Sequence, residues 1–479
     1  MGVHIYPYPY RYTPIEEEFP FGEVLEMRVH PGTEHGALEM LWKNYTYGKG
    51  CLRFVESPDV EKHSMLFGKG RPMSPGPAFS YTLTVEKEGG SISGRDRQGL
   101  LQGFMSLLQR ILLHSLADGD VRFALRGCRV EDKPRLGFRA IHLCLMPGME
   151  LSMLQKILRL CAFMKYSHVI LEFWGTYRFS ALPELGWEGT FSFSDIRPII
   201  DEARALGLTF IPMFNHLGHA SQARARYGKH VVLDQAPEKA LLFGPDGWTW
   251  NIRSPEVTGI FRGIREELLS LFGEGEYFHL GFDEAFTYEE ELSDAARNEL
   301  LLSYMNGLCD EICSLGRRPI IWGDMFLEHS RWQANPPKGG RYSATGFAEH
   351  KILSRLDKRF IFADWQYYIT EGAIETNAFF REQGFDVIAC PWNHYDNVGL
   401  TVNAAKTAGL YGMMQTTWDN LSEDIIIIPY AGTAMWEDAV RQYSIEELGA
   451  IRVKAMNFVR RVMPSGGAYT KAGWKAFEI

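Results

Sequence analysis

The residues in this chain best suited to acid–base chemistry are two consecutive carboxylates, Asp283 and Glu284, which follow the short apolar run YFHLGF at 277–282. Taken alone, an Asp-Glu dipeptide most often caps a helix, where acidic side chains meet the positive end of the dipole. Here the pair has company. Asn215, His216 and His219 follow LTFIPMF, Trp322 and Asp324 lie at the end of PIIWG, and Asp364 and Trp365 end RFIFADW. Trp392, Asn393, His394, Tyr395 and Asp396 follow DVIAC, and Trp418, Asp419 and Asn420 come at the end of LYGMMQTTW. Carboxylates donate and accept protons, and indoles offer flat apolar faces with one polar edge. A ring of the two is the composition of a carbohydrate site. His216 and His219 resemble half of a metal site, but no His-Glu-x-x-His or cysteine-rich partner accompanies them, so no metal is expected. Cys309 and Cys313 share one helical face and fit a buried core.

These runs form a series that must position the pair. Strand candidates are FRAIHLCL (138–145), HVILEFW (168–174), LTFIPMF (208–214), YFHLGF (277–282), PIIWG (319–323), RFIFADW (359–365), DVIAC (386–390) and LYGMMQTTW (410–418). Helical patterns fall between most of them, such as LSMLQKILRLCAFMK (151–165) and SDIRPIIDEARALG (194–207), the latter opened by a Ser or Asp cap and closed by Gly207. Eight strands alternating with helices over roughly 300 residues predict an α/β fold, a (β/α)₈ TIM barrel with its chemistry at the C-terminal strand ends. The irregular connections after the fifth and sixth strands predict an imperfect barrel. A doubly wound nucleotide-binding sheet would carry a glycine-rich turn after its first strand, and MPGMEL is not one.

Ahead of the barrel, short alternating segments such as FSYTLTVEKE (79–88) predict a small α+β domain over 1–132, with the barrel and C-terminal helices over 133–479. The apolar spacing of QGLLQGFMSLLQRILLHSL (98–116) predicts that the small domain ends in one amphipathic helix. A length of 479 residues agrees with two domains.

Composition narrows the partners. Formal net charge is −9 with no long Lys/Arg run, which argues against nucleic acid and anionic membranes. No stretch of eighteen apolar residues occurs, so no membrane span is expected. The N-terminus lacks the basic start and apolar run of a secretory signal, and the seven cysteines are an odd number lying mostly in apolar or helical segments, so a cytoplasmic protein with reduced thiols is expected.

With these residues in view, the chain resembles the family 20 β-N-acetylhexosaminidases. The family's His-x-Gly-Gly-Asp-Glu strand is similar to His279, Leu280, Gly281, Phe282, Asp283 and Glu284. GRDRQGLLQGFMSLLQ (94–109) is similar to the Gly- and Gln-bearing region that ends the family's small N-terminal domain, and IPMFNHLGH (211–219) to its Ile-Pro-Glu-x-Asp-x-Pro-Gly-His motif. The resemblance implies exo-acting, retaining hydrolysis of terminal β-linked N-acetylhexosamine, with the substrate's own 2-acetamido oxygen as nucleophile. It implies Glu284 as acid and base, Asp283 on the acetamido N–H and Tyr395 on the acetamido oxygen. Arg139, Asp396 and Asp324 would bind hydroxyls, His219 would contact the substrate, and Trp322, Trp365 and Trp418 would form the pocket wall. No cofactor is implied. The departures are Phe282 for a small residue, Met213 and Asn215 for acids, Leu217 for proline, and a second strand, LEFWGTYRF, without the family's His-x-His-x-x-Asp. They are expected to alter the charge network around the pair. Two other readings compete: a non-catalytic sugar-binding barrel, and a two-carboxylate glycosidase acting on sugars without a 2-acetamido group.

Overall fold

The structure, a computed structural model, describes residues 5–76, 80–115, 121–187, 189–221, 230–286, 288–418, 421, 425–438 and 442–462. The first sheet comprises β1 (Arg11–Gly22), β2 (Val24–Val29), β3 (Cys51–Glu56), β4 (Ser64–Gly68), β5 (Tyr81–Glu86), β6 (Gly89–Gly94), β7 (Ile111–Ser115) and β8 (Val121–Asp132). Its order is β1-β8-β5-β6-β4-β2-β3, with β7 paired to β8. Helices α1 (Gly36–Tyr45) and α2 (Arg97–Leu108) complete this layer.

The predicted helix over 98–116 is shorter than its periodicity suggested. α2 stops at Leu108, and Ile111–Ser115 pairs in extended form with Val121–Leu125. The run ILLH carries apolar side chains that suit either state, and an open sheet edge took its backbone hydrogen bonds.

The second sheet comprises β9 (Phe138–Leu145), β10 (His168–Phe173), β11 (Thr209–Pro212), β12 (Tyr277–His279), β13 (Arg318–Trp322), β14 (Ile361–Trp365), β15 (Asp386–Cys390) and β16 (Gly412–Gln415). All eight predicted strands are present, the first and seventh with the predicted bounds. Their order, β11-β10-β9-β16-β15-β14-β13-β12, is parallel throughout, and β16 pairs back onto β9. A bridge from Met213 to His279, with the Phe214 N–H donating to the His279 carbonyl at 3.1 Å, closes the barrel. Inward side chains alternate along the strands, and Phe138, Ala140, Ile170, Ile211, Met213, Ile320, Trp322, Ile361, Ala363, Ile388, Cys390 and Met414 fill the interior.

The outer ring contains α3 (Leu151–Phe163), α4 (Phe193–Ala205), α5 (Val232–Gln235), α6 (Pro255–Phe272), α7 (Asp294–Ser314), α8 (His329–Ala334), α9 (Glu375–Glu382) and α10 (Tyr395–Ala408), followed by α11 (Ile427–Trp436) and α12 (Ile445–Arg461). α4 begins at a capping box in which Ser192 and Asp195 satisfy each other's backbone N–H, and Gly207 (φ +98°) turns the chain after it. The irregularity expected after the fifth and sixth strands is real: β13 is followed by single helical turns and the six-residue α8, and β14 by the eight-residue α9. No helix among the described residues is long and apolar enough to cross a membrane.

A buried ion pair joins the two layers. Lys165 Nζ lies 2.9 Å from Asp132 Oδ2 with both side chains fully buried, and the Trp436 indole N–H donates to the same carboxylate at 3.0 Å. β8 ends at Asp132 and the barrel's first strand starts at Phe138, so the small sheet is anchored to the N-terminal face of the barrel, away from the strand ends that carry the chemistry.

Candidate active site

The ladder of β12 lasts only three residues, and the turn after it explains how adjacent carboxylates share one pocket. On a regular strand Asp283 and Glu284 would point to opposite faces. Instead Gly281 (φ +76°), Phe282 (φ +76°) and Glu284 (φ +48°) all adopt left-handed backbone. Gly281 must be glycine for a second reason: a Cβ there would lie 1.5 Å from Asn215 Oδ1. Phe282 holds its conformation against its own steric preference, and its ring is buried outward, 6.1 Å from the Tyr304 ring on α7. It lies outside the pocket, so the substitution that stands out most in the motif changes the packing behind the pair.

The loop after β11 meets this turn. His219, itself left-handed (φ +54°), places Nε2 3.1 Å from Asp283 Oδ2 and 3.3 Å from Glu284 Oε2. Both carboxylates thus converge on one imidazole nitrogen. A Cβ on Gly218 would strike the Asp283 carbonyl at 2.4 Å, so glycine permits the approach. Trp248 closes this side: its ring lies 4.5 Å from His219 and its indole N–H donates to the Glu284 carbonyl at 2.6 Å. His216 turns away. Its Nδ1 donates to the Phe214 carbonyl and its Nε2 lies 3.1 Å from Arg265 Nη1. Burial, with the Arg265 charge, pushes its pKa down to about 3, which leaves it neutral.

Asp324 is a support of the pair. It is fully buried, and its Oδ2 accepts from the Glu284 N–H at 3.1 Å and from the Thr345 hydroxyl, while Oδ1 accepts from the Trp365 indole at 3.0 Å. This corrects its expected role as a hydroxyl ligand, since its oxygens are occupied by protein donors. Burial, reinforced by the Asp283 and Glu284 charges, raises its pKa to about 7. Neighbouring Asp364, also buried, is raised to about 6 by desolvation and is held by Thr376 and Gln366.

An aromatic box stands beside the pair. Trp418 donates its indole N–H to the Tyr367 hydroxyl at 2.7 Å, and the Tyr367 ring lies 5.0 Å from Trp365 and 5.7 Å from Trp392. Trp174 approaches Trp418 at 6.3 Å. Trp322 is fully buried beneath them, against His279, His142 and Trp418, so it is floor and not wall. Tyr367 is close enough to Asp283 for that charge to add to the burial that raises its own pKa.

Three expected ligands lie elsewhere. Arg139 is the second residue of β9, at the opposite end of the barrel. Its guanidinium donates to the Lys165, Leu136 and Gly137 carbonyls and stacks on Trp436 at 5.0 Å. Alternation along β9 puts it on the outward face between inward Phe138 and Ala140. Tyr395 and Asp396 begin α10, both exposed. The Tyr395 ring packs 5.1 Å from Tyr430 on α11, and the Asp396 charge is felt by that same Tyr430. Asp419 and Asn420 lie outside the described residues.

The sequence reading missed Glu172, Trp248, Thr345 and Tyr367. Glu172 is the penultimate residue of a strand buried from Val169 onward, and it accepts from His142 Nε2 at 2.9 Å and from the Asn215 amide at 3.3 Å. It supplies a carboxylate beneath a strand-three segment that lost its own acids at Met213 and Asn215. An acid inside the apolar run HVILEFW was the available signal, because a buried charge persists only when paired.

A closed (β/α)₈ barrel with a carboxylate pair and an aromatic box at its C-terminal face has the architecture of a glycoside-processing protein. The family described as "Glycosyl hydrolase family 20, catalytic domain" matches residues 164–423, just over half of the chain. The chain belongs to that family. It is 24% identical over 374 residues to human beta-hexosaminidase subunit beta, a match covering 70% of this chain and 65% of that protein. The mouse subunit is also 24% identical, over 77% of this chain and 76% of its own length. Among solved structures, an exo-β-N-acetylglucosaminidase from Vibrio harveyi in complex with N-acetylglucosamine superposes with a TM-score of 0.69 at 16% identity, covering 96% of this chain and 78% of that one. A β-N-acetylhexosaminidase from Bacteroides fragilis gives 0.68 at 15% identity, covering 97% of both chains.

Proposed function

We propose that this protein hydrolyses terminal β-linked N-acetylhexosamine from oligosaccharides and glycosides by retaining, substrate-assisted catalysis. One observation carries the reading: Asp283 and Glu284 converge on His219 Nε2 at the edge of an aromatic box. The names of the relatives, beta-hexosaminidases and an exo-β-N-acetylglucosaminidase, agree with it.

In the first step the acetamido carbonyl oxygen of the substrate attacks the anomeric carbon, and the bond to the leaving oxygen breaks as Glu284 gives that oxygen a proton. Asp283 accepts a hydrogen bond from the acetamido N–H and offsets the positive charge of the cyclised intermediate. Glu284 then removes a proton from water, whose oxygen opens the ring at the anomeric carbon and restores the original configuration. Glu284, at 35% side-chain exposure, can meet both leaving group and water, while Asp283, at 9%, is held on the inner side. Trp365, Trp392 and Trp418 wall the sugar's apolar faces. Tyr367 takes the place at the acetamido oxygen first expected for Tyr395.

The test is a panel of aryl β-glycosides differing only at C2 and C4. Turnover should require the 2-acetamido group. Glu284→Gln should abolish it with binding retained, and Asp283→Asn should cost about 3 kcal/mol of transition-state stabilisation. Equal hydrolysis of substrates with a 2-hydroxyl, or full activity in either variant, would overturn the proposal.

A further inference from the structure

A cavity of about 610 Å³ opens beside Glu284. Its lining includes Glu284 and Trp365 but not Asp283, so it lies on the outward side of the acid. A space of this volume is within the range of ordinary ligand sites. Its other walls include Phe286, Arg341, Phe347 and Tyr368. Phe347 is 61% exposed and Tyr368 40%, unusual openness for aromatic rings that share one cavity. The Arg341 guanidinium lies 4.2 Å over the Tyr368 ring and makes no ion pair among the described residues.

The segment carrying these groups is fixed in place. Gln333 donates to the Tyr342 carbonyl at 2.7 Å and His329 Nδ1 to the Ala344 carbonyl at 2.8 Å. The Ser343 N–H donates to Gln366 at 2.9 Å, and Thr345 bonds Asp324, which in turn holds the Glu284 N–H. Backbone held at four successive residues presents Arg341 and Phe347 in a defined relation to the acid. Ordering that has already been fixed in the free protein is not lost again on binding. A stacked guanidinium with no ion pair among the described residues is matched by an anionic oxygen group in a ligand lying on the aromatic rings.

We infer that this cavity is a leaving-group site that selects an aglycone sugar bearing an anionic substituent, a carboxylate or a sulfate, with Arg341 as its ligand. The inference rests on the reading of Glu284 as the acid that faces the leaving group. The experiment measures kcat/KM on three disaccharides with the same terminal N-acetylglucosamine, β-linked to a neutral hexose, a hexuronic acid or a sulfated hexose. The wild type should prefer one or both acidic substrates by about five- to tenfold at low salt, and the preference should shrink as salt rises. Which of the two is preferred identifies the substituent. In Arg341→Gln the preference should fall to within about twofold, and Arg341→Lys should restore part of it. A wild type that cleaves 4-nitrophenyl β-N-acetylglucosaminide but treats acidic and neutral disaccharides alike overturns this inference alone, as does a preference that survives Arg341→Gln. Absence of any cleavage overturns the reading of Glu284 instead. Calorimetric titration of the same disaccharides then decides the cavity, equal binding of acidic and neutral ligands refuting it.

Discussion

Replacing Asp324 by Asn separates burial from hydrogen bonding beneath the catalytic pair. The wild-type carboxyl is raised from an ordinary value of 3.8 to about 7, first by burial and then by the Asp283 and Glu284 charges. A shift of that size disfavours the ionised form in the folded protein by about 4 kcal/mol. Because the folded-state pKa is raised, the stability this group contributes is fully present below the unfolded pKa near 4. It is lost as pH rises through about 7. Asparagine never ionises and escapes that loss. It also offers one acceptor oxygen to three donors, and its amide group opposes at least one of them, a pH-independent penalty of about 1–3 kcal/mol. The stability difference between wild type and Asp324→Asn should therefore move by about 3 kcal/mol in favour of the variant between about pH 4.5 and pH 8. Urea unfolding at several pH values measures it, since most other titrations cancel in the difference. Activity should fall through kcat with little change in KM, because the lost anchor is the one on the Glu284 backbone. A stability difference that stays flat within about 0.5 kcal/mol would refute the argument that Asp324 retains its proton toward neutrality.

The remaining predictions test which residues belong to the site. Tyr367→Phe should lower kcat/KM about 100-fold on an aryl N-acetylglucosaminide, whereas Tyr395→Phe should stay within about twofold; the reverse result would return Tyr395 to the pocket. Arg139→Met leaves the carbonyls of Leu136, Gly137 and Lys165 without their donor and should destabilise the fold by about 3 kcal/mol in denaturant melts, with kcat per folded molecule preserved. Phe282→Gly relieves about 1 kcal/mol of left-handed strain but empties the space beside Tyr304, so the net loss should be about 2–3 kcal/mol by thermal unfolding. A stabilised Phe282→Gly protein would show that the strain outweighs the packing.

Strand positions were legible because inward and outward faces of a parallel barrel are both apolar, so each strand is a short, nearly continuous run. FRAIHLCL and DVIAC match the structure at both ends for that reason. Strand ends were harder to locate. YFHLGF reads as a strand of six residues, yet the regular ladder ends at His279; the Leu280 N–H and the Gly281 carbonyl still bond β13 before Gly281 and Phe282 leave the extended region. Ligand assignments turn on position along a strand or at a helix start. Arg139 lies at the wrong end of β9, and Tyr395 already belongs to α10. Residue type gave no hint of either. Tyr367 carries no sequence signal because it stands two residues beyond β14, in a segment whose direction is set by Gln366 and Asn397.

The backbone at 281–284 and the buried acid at 324 are parts of one arrangement. Left-handed residues at Phe282 and Glu284 each cost about 1–3 kcal/mol, and a carboxylate such as Asp324 adds its own desolvation. A fold does not need either feature for stability. Together they achieve direction: the turn brings two consecutive carboxylates to His219 Nε2, and Asp324 fixes the N–H of the second one. Thr345 and Trp365 extend that hold to the outer cavity and to the aromatic box. A shift at Asp324 would therefore be felt by the acid, the sugar wall and the leaving-group side at once. Pairs of variants at Asp324 and Arg341 should accordingly be non-additive in kcat/KM, coupled through Thr345 and the backbone it holds, while pairs at Asp324 and Arg139 should add within about 0.5 kcal/mol.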